Sequence, residues 1–184
     1  IHISSLKKYI ESSKKIKIKY KKYIIYSGSY SYLPNKMAID ILVNEIMPNI
    51  LKFDKSYKLV LTGSDKIHYE YNWLVKLGKV NKSKYIALLR NATCMIVPLS
   101  IGFGSRVKII EGLILGLKLI CTKKATEGLY YKKKDIKILN NNKKIIDHFK
   151  KNISINKTKY SKFYENIYSM QNITRKFLLN SYFK

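Results

Sequence analysis

The sequence predicts one doubly wound α/β domain, in which helices cover both faces of a parallel β-sheet. Short apolar segments of strand length alternate with longer segments whose apolar residues recur at helical spacing. One apolar segment, residues 94–99, is continuous, which is typical of a strand covered on both faces. Turns rich in Gly, Ser and Thr follow several of the strand candidates. Strands and helices that alternate at this spacing are joined by right-handed crossovers, so the strands run parallel.

Short apolar runs give the strands of this Rossmann-like sheet, and segments of helical period give its helices. The strand candidates are residues 23–27, 57–61, 73–80, 94–99, 117–122 and 136–139. The helix candidates are residues 35–51, 83–91, 105–115, 143–150 and 161–182. Pro34 stands just ahead of one helix, where proline is tolerated, and Gly116 follows the end of another, where glycine is favoured.

The chain divides into three predicted parts. Lysines alternate with apolar residues near the end of residues 1–22, so we expect a linker or an edge strand there. Residues 23–155 form the main α/β domain, and residues 156–184 form C-terminal helices that pack on it or toward a second domain. No stretch approaches the roughly 18 apolar residues that a membrane span needs. We expect neither a transmembrane segment nor a signal peptide, and therefore a cytoplasmic protein.

The chain is strongly basic, with 37 Lys and Arg residues against 11 Asp and Glu residues and a formal net charge of +26. Such a charge favours polyanionic partners, so a nucleic-acid-binding module is an alternative function. The excess is nearly all lysine and accompanies abundant Ile, Asn and Tyr, as an A+T-biased coding sequence produces. Arginine, the better reader of base edges, occurs only at Arg90, Arg106 and Arg175. We therefore expect no nucleic-acid partner, and at most peripheral contact with an anionic membrane.

The positions of the cysteines and histidines do not indicate a metal site. The two cysteines, Cys94 and Cys121, fall in apolar runs and are interpreted as small buried hydrophobes. The three histidines lie far apart, without an acid or a cysteine at ligand spacing. The sequence contains no Asp-x-Asp motif. We expect neither a metal ion nor another cofactor.

The most informative segment is the glycine-rich turn that precedes the helix at 105–115. Gly102 and Gly104 allow the backbone to approach a ligand closely, and Ser105 is a favourable N-cap for the helix. Unpaired amides and the positive end of the helix dipole then make a site for a diphosphate. Cations in the first turn oppose the dipole, so Arg106 and Lys108 indicate a bound anion that compensates them.

Glu111 lies three residues after Lys108, on the same side of the predicted helix. An acid one turn into such a helix can reach the ribose hydroxyls of a nucleotide whose phosphates rest on the turn. The alternative is a simple surface ion pair between Lys108 and Glu111.

This segment resembles the donor-binding motif of retaining GT-B glycosyltransferases of the family 4 type, the glycosyl transferases group 1. The matching positions are Gly102, Gly104 to Arg106, Lys108 to Gly112, Gly116, Leu119, Ile120, Thr122 and Glu127 to Leu129. Two weaker resemblances support it, one around residues 25–38 and one at residues 78–80 and 92–98. The resemblance covers about residues 23 to 130, in the family's order.

By this resemblance, the main domain is the C-terminal half of a GT-B enzyme, which binds a nucleotide-sugar donor. Gly28, Ser29, Gly104, Ser105, Arg106 and Lys108 would contact the diphosphate, Glu111 the ribose, and backbone near Val80 the base. The implied reaction is metal-independent hexosyl transfer from a UDP- or GDP-sugar to a glycan or lipid-linked acceptor.

Two departures qualify the resemblance. Many relatives carry a glutamate where this chain has Phe103, so contact with the transferred sugar through that acid is absent or replaced. A GT-B enzyme has two such domains, and the N-terminal one supplies the acceptor pocket. The catalytic residues on the acceptor side are therefore expected in that second domain, and this chain alone is expected to bind donor without transferring sugar. A non-catalytic or epimerase-like GT-B domain is the nearest alternative.

Overall fold

The computed structural model describes residues 6–63, 67–102, 106–152 and 160–169. The strands are β1 (Tyr23–Ser27), β2 (Lys58–Thr62), β3 (Leu74–Lys76), β4 (Cys94–Val97), β5 (Leu119–Cys121) and β6 (Ile136–Ile138). The helices are α1 (Leu6–Lys14), α2 (Leu33–Ile41), α3 (Met47–Phe53), α4 (Lys82–Asn91), α5 (Val107–Leu115), α6 (Asn142–Asn152) and α7 (Lys162–Ile167). Every strand candidate from the sequence contains or overlaps one of these strands.

The six strands form one parallel sheet in the order β3-β2-β1-β4-β5-β6. The chain builds the sheet outward from β1 to β3, and then returns to the other side of β1 with β4. The carboxyl ends of β1 and β4 therefore flank the topological switch point, where ligands bind in such sheets. This order confirms the predicted doubly wound, Rossmann-like fold.

The central strands are buried on both faces. Every residue of β4 is buried, as are the first four residues of β1. Helix α5 is equally apolar, and all seven residues from Ile109 to Leu115 are buried. Its end matches the expectation, since Gly116 adopts a left-handed conformation with φ of 68°. The two cysteines are buried, and burial raises the pKa of each thiol, so both remain protonated.

The predicted helix at 35–51 is a continuous helical segment with a defect. A π-helical turn, Leu42–Ile46, separates α2 from α3. The amide of Met47 bonds to the Leu42 carbonyl, five residues back. Pro48 follows at once; it lacks an N–H, and its ring would crowd the carbonyl four residues earlier in a regular helix. The wider turn accommodates the proline and lets the helical path continue to Phe53.

The expectation of a linker or edge strand over residues 1–22 was wrong for its first part. Residues 6–14 form helix α1, which packs against α4. Leu6, Tyr9, Ile10 and Ser13 follow the i, i+3, i+4, i+7 spacing, and Leu6 is fully buried. Arg90 of α4 donates to the Ser13 hydroxyl at 3.0 Å. The lysine alternation that suggested a strand lies mostly beyond α1, in residues that form no strand.

The C-terminal part of the described chain docks on the main domain. Ser161 donates its amide to the Ile114 carbonyl at the end of α5, at 2.7 Å. The Tyr168 hydroxyl bonds to both backbone groups of Tyr130, and the Tyr164 hydroxyl accepts from the Lys132 amide. The predicted helix at 161–182 matches α7 over its described part, and residues 170–182 lie outside the described residues. Within the described ranges, no helix has the length and apolar character to cross a bilayer.

Replacement of Leu6 by alanine tests whether α1 is part of the core. Leu6 is 1% exposed, so Leu6→Ala should lower the free energy of unfolding by about 2 to 4 kcal/mol. Urea denaturation measures this, with Lys8→Ala as the matched control, because Lys8 is exposed on the same helix. Equal, small effects of both substitutions would mean that the segment is a linker in solution.

Candidate functional site

A small cavity lies at the switch point, between the carboxyl ends of β1 and β4. Its volume is about 150 Å³, and its lining includes Gly28, Tyr32, Asn35, Leu99, Arg106 and Lys108. Gly28 follows β1, Asn35 lies in the first turn of α2, and Leu99 follows β4. Arg106 and Lys108 come from the start of α5. The fold thus brings together three of the predicted diphosphate residues: Gly28, Arg106 and Lys108.

Gly28 is required by the close approach of α2. A side chain at this position would place its Cβ 2.6 Å from the Asn35 carboxamide, a distance that real contacts do not reach. The Gly28 amide donates to the Thr62 carbonyl at the end of β2, at 2.9 Å. Ser29, the next predicted residue, is exposed, and its hydroxyl lies 2.7 Å from that of Ser31. Gly28 therefore borders the cavity, while the Ser29 hydroxyl is engaged outside it.

Arg106 occupies the N-cap of α5, and the helix begins at Val107. The expected helix start and N-cap at Ser105 are thus displaced by one to two residues; Phe103, Gly104 and Ser105 lie outside the described residues. The Arg106 side chain is folded back over the turn. Its Nη2 donates to the carbonyls of Gly102 and Lys124, at 3.0 and 3.1 Å. These two bonds tie the turn to the loop after β5, and they explain why the N-cap carries an arginine.

The Arg106 guanidinium is buried, with 8% of the residue exposed, and its Nε has no hydrogen-bond partner among the described residues. A buried cation that keeps an unpartnered N–H is costly, and this N–H can donate to a further acceptor. The first intrahelical bonds of α5 run from the amides of Ile109 and Ile110 to the Arg106 carbonyl. The preceding amides, at Val107 and Lys108, belong to the first turn, which lacks intrahelical partners.

Lys108 points away from Glu111 and across the cavity to α2. Its Nζ donates to Asn35 Oδ1 at 2.9 Å and lies 4.0 Å from the centroid of the Tyr26 ring. Burial and, as a smaller cause, the positive charge of Arg106 together lower the pKa of Lys108 to about 7. The Tyr26 hydroxyl donates to the same Asn35 oxygen at 2.8 Å. The free domain thus holds an amine that is readily neutral, under a ring that attracts its charged form.

Glu111 is buried, with 2% of the residue exposed, and it forms an ion pair with Lys82 at the start of α4. The alternative of a surface pair between Lys108 and Glu111 was wrong, because the two side chains contact different helices. Tyr85 of α4 lies close enough to Glu111 that the carboxylate raises the pKa of the phenol, after burial as the larger cause. Glu111 is therefore a buried acid held at the interface between α4 and α5.

Val80 lies in the loop between β3 and α4 and packs partly against the core. The loop is joined to its neighbours: the Gly63 amide donates to the Gly78 carbonyl at 2.7 Å. Gly63 in turn lies against Gly28, since a Cβ on it would be 3.2 Å from the Gly28 amide nitrogen. The ends of β1, β2 and β3 therefore form one connected rim, which runs from the cavity to Val80.

Sequence reasoning missed three residues of this region: Tyr26, Asn35 and Lys82. The sequence pattern places Tyr26 in a strand and Asn35 in a helix, and gives neither a role in the site. Pro34, just before Asn35, indicates that the helix starts at the sheet edge. Lys82 carried a usable signal, because a lysine in the first turn of a helix opposes the dipole just as Lys108 does.

A ligand site elsewhere in the domain would require another cavity or a cluster of metal-binding side chains. A larger cavity of about 750 Å³ lies at the amino ends of β5 and β6, with Lys118, Lys134 and His148 in its lining. It is at the opposite edge of the sheet from the switch point, where ligands of this fold bind. In the described part of the chain, no three His, Cys, Asp or Glu side chains gather as a metal site would require.

Gly28→Ala tests the close approach of α2 to the cavity. The added Cβ meets the Asn35 side chain, so the free energy of unfolding should fall by about 1 to 3 kcal/mol. The same substitution in an Asn35→Ala background should cost less by about 1 kcal/mol, because the clashing group is gone. Urea denaturation of the four proteins completes the cycle. Additive effects would place the two residues apart in solution.

Comparison with known proteins gives one family and two structural likenesses. The family model described as glycosyl transferases group 1 matches residues 21–153. The catalytic domain of cholesterol-alpha-glucosyltransferase from Helicobacter pylori is 14% identical, with a TM-score of 0.52, and the alignment covers 88% of this chain and 94% of that one. The trehalose-6-phosphate phosphatase N-terminal domain from Candida albicans is also 14% identical, with a TM-score of 0.53. No curated protein sequence matches this chain.

The two structures support the fold, and the family match supports the class of reaction. The alignment with the Candida albicans structure covers 97% of this chain but only 43% of that one. At 14% identity, such likenesses concern the arrangement of strands and helices alone. The family match is of another kind, since it spans most of the chain and includes β1 to β6, the cavity and Glu111. The chain belongs to the glycosyl transferases group 1 family.

Proposed function

We propose that this domain binds the nucleoside diphosphate of a sugar donor at the cavity between β1 and β4. Family membership makes glycosyl transfer the reaction class. The observation that carries the proposal is the buried Arg106 at the start of α5, whose Nε has no partner in the described part of the chain, with a second cation, Lys108, beside it. The donor would be a UDP- or GDP-sugar, and the transferred group a hexosyl unit.

The diphosphate accounts for features that the free domain leaves uncompensated. Its charge would offset the repulsion between Arg106 and Lys108 and between both cations and the helix dipole. Its oxygens would accept from the Arg106 Nε and from the first-turn amides. Gly28 leaves its part of the cavity wall without a side chain, because Asn35 occupies the space that a Cβ would need. Gly104, Ser105 and Ser29 remain predicted contributors to the same group.

Glu111 and Val80 are the proposed contacts for the nucleoside. A carboxylate accepts hydrogen bonds from the two adjacent ribose hydroxyls, and Glu111 lies one turn along α5 from the diphosphate cations. The rim that joins Gly28, Gly63 and Gly78 leads to Val80, whose backbone would read the base. The order diphosphate, ribose, base along the rim is the order of the groups in a nucleotide.

In the proposed reaction, the bond from the sugar's anomeric carbon to the diphosphate breaks, and a bond from that carbon to an acceptor hydroxyl forms as the hydroxyl loses its proton. Negative charge grows on the leaving diphosphate oxygen. Preorganised cations and amides at that oxygen stabilise the charge, which is the term that most lowers such barriers. Arg106 and Lys108 are placed for this role, so the proposed chemistry needs no metal ion. Retention of the anomeric configuration remains a prediction of the family 4 resemblance, and the acceptor, a glycan or a lipid-linked glycan, is expected to bind a second domain.

The experiment is a calorimetric and thermal-shift screen of UDP, GDP and ADP with their glucose conjugates. One of them should bind and stabilise the domain, by about 2.7 kcal/mol at a ligand concentration 100 times its Kd. Arg106→Ala and Glu111→Ala should each lose most of this stabilisation. Arg90→Ala is the control, because Arg90 contacts Ser13 on the far side of α4. No binding by any of the six, or unchanged binding by Arg106→Ala, would overturn the proposal.

The rival function is nucleic-acid binding, which the net charge of +26 favours. The two functions differ in their dependence on salt. Nucleic-acid affinity would fall steeply as salt rises, because many counterions are released. Binding of one nucleoside diphosphate would depend on Arg106, Lys108 and Glu111 and only weakly on the exposed lysines away from these residues. A non-catalytic or epimerase-like GT-B domain would bind the same donor, and only an assay of the complete enzyme with an acceptor separates it.

Donor binding should depend on pH through Lys108. Its pKa of about 7 leaves it mostly neutral above neutrality in the free domain, whereas a diphosphate favours the ammonium. With the bound ammonium fully charged, affinity should therefore fall roughly 50-fold between about pH 7 and about pH 9, and proton uptake on binding should rise from about half a proton to nearly one. Burial raises the pKa of the neighbouring Tyr26 and Cys121, so neither of these groups titrates in this range. Calorimetry in buffers of different ionisation enthalpy counts the proton.

Lys108→Arg is the control for this pH dependence, since arginine keeps its charge throughout the range. The arginine variant should bind with a nearly constant affinity, and Lys108→Met should bind weakly at every pH. A wild-type affinity as flat as that of the arginine variant would show that Lys108 is already charged in the free domain.

A further inference from the structure

At the proposed ribose position, the Glu111 carboxylate is paired with the Lys82 ammonium. Its Oε1 accepts from the Lys82 Nζ, and the Lys82 side chain is about one third exposed while that of Glu111 is 2% exposed. The accessible side of the pair is thus the lysine side. A ligand that approaches Glu111 along the rim meets the ammonium and the carboxylate as one unit.

Lys82 is held in place by the start of α4. It is the first residue of that helix, directly after Asn81, whose side chain accepts from the Lys84 amide at 2.9 Å and so caps the helix. A lysine at this position opposes the helix dipole and brings α4 no stability. Its placement is explained by its partner, because burying a carboxylate costs free energy unless a cation pairs with it.

The pair offers complementary groups to a sugar diol. A carboxylate only accepts hydrogen bonds, and an ammonium carries three donors, of which Glu111 uses one. Each ribose hydroxyl is both a donor and an acceptor. One hydroxyl can therefore donate to Glu111 while the neighbouring hydroxyl accepts from Lys82, and the ion pair stays intact.

We propose that Lys82 and Glu111 together bind the ribose diol of the donor nucleotide, so that the domain distinguishes ribonucleotides from 2′-deoxynucleotides. This inference rests on the proposed function, and it adds a second residue, from a different helix, to the ribose contact. In this arrangement Lys82 donates to the 2′-hydroxyl, and Glu111 accepts from the 3′-hydroxyl. Neutral replacement of Lys82 should then weaken the ribonucleotide while leaving the 2′-deoxynucleotide nearly unchanged.

The test is isothermal calorimetry of the 184-residue chain with UDP, GDP and ADP and with their 2′-deoxy counterparts. Wild type should prefer one ribonucleotide over its deoxy form by roughly tenfold, the size expected for a hydrogen bond to a charged group. Lys82→Met should lose about tenfold in affinity for the ribonucleotide and bring the ratio near one. Lys82→Arg, which keeps charge and donors, should restore most of the preference.

Lys84→Met is the matched control, because Lys84 lies one half turn further on the same helix and is exposed. It should bind both nucleotides as wild type does. Thermal melting without nucleotide checks that each variant is folded. If Lys82→Met loses its transition, Lys82→Gln, which keeps a donor without charge, takes its place and should show a reduced ratio.

The outcomes separate the two proposals. Wild type that binds none of the six nucleotides overturns the proposed function and this inference with it. Wild type that binds, with a Lys82→Met variant whose ratio equals that of Lys84→Met, overturns the inference alone. Tighter ribonucleotide binding by Lys82→Met would also overturn it, because Lys82 would then be a competitor of the ribose.

Discussion

The repulsion between Arg106 and Lys108 at the start of α5 is the constraint around which the cavity is built. Neither cation is left in water: Arg106 is fixed by two backbone carbonyls, and Lys108 by Asn35 and the Tyr26 ring. These contacts hold both charges where the helix dipole disfavours them. Gly28 follows from the same constraint, since Asn35 can reach Lys108 only where the residue after β1 has no side chain. Under the proposed function, the domain is thus organised for an anion before any ligand arrives.

Helices α4 and α5 each carry a lysine in the first turn, but the two lysines have different partners. Lys82 and Lys108 both lie in first turns, yet one is neutralised by an internal acid and the other is not. The first arrangement leaves a neutral pair, suited to hydroxyl groups, and the second leaves excess positive charge, suited to phosphate. Two neighbouring helix starts thereby acquire different chemistry from the same residue type.

The fold and the location of the site could be predicted from the sequence, because both depend on local pattern. Apolar runs located β1, β2 and β4, and the glycine-rich turn located the start of α5 to within two residues. The partners of the site residues could not be predicted. Lys108 bonds to Asn35, 73 positions away, and Glu111 to Lys82, 29 positions away, and no local pattern encodes such pairs. Helix α1 was missed because lysine alternation in the following residues suggested a strand.

The hydrogen-bonded rim of Gly28, Thr62, Gly63 and Gly78 has a consequence for engineering donor preference. Because the loop that carries Val80 is tied through Gly63 to the loop after β1, exchange of that loop for one from a relative would also shift the backbone beside the cations. Under the proposed function, a graft intended to change the preferred nucleobase would therefore also weaken the contacts with the phosphates. Side-chain replacement on an unaltered backbone is the route to a new specificity in this scaffold.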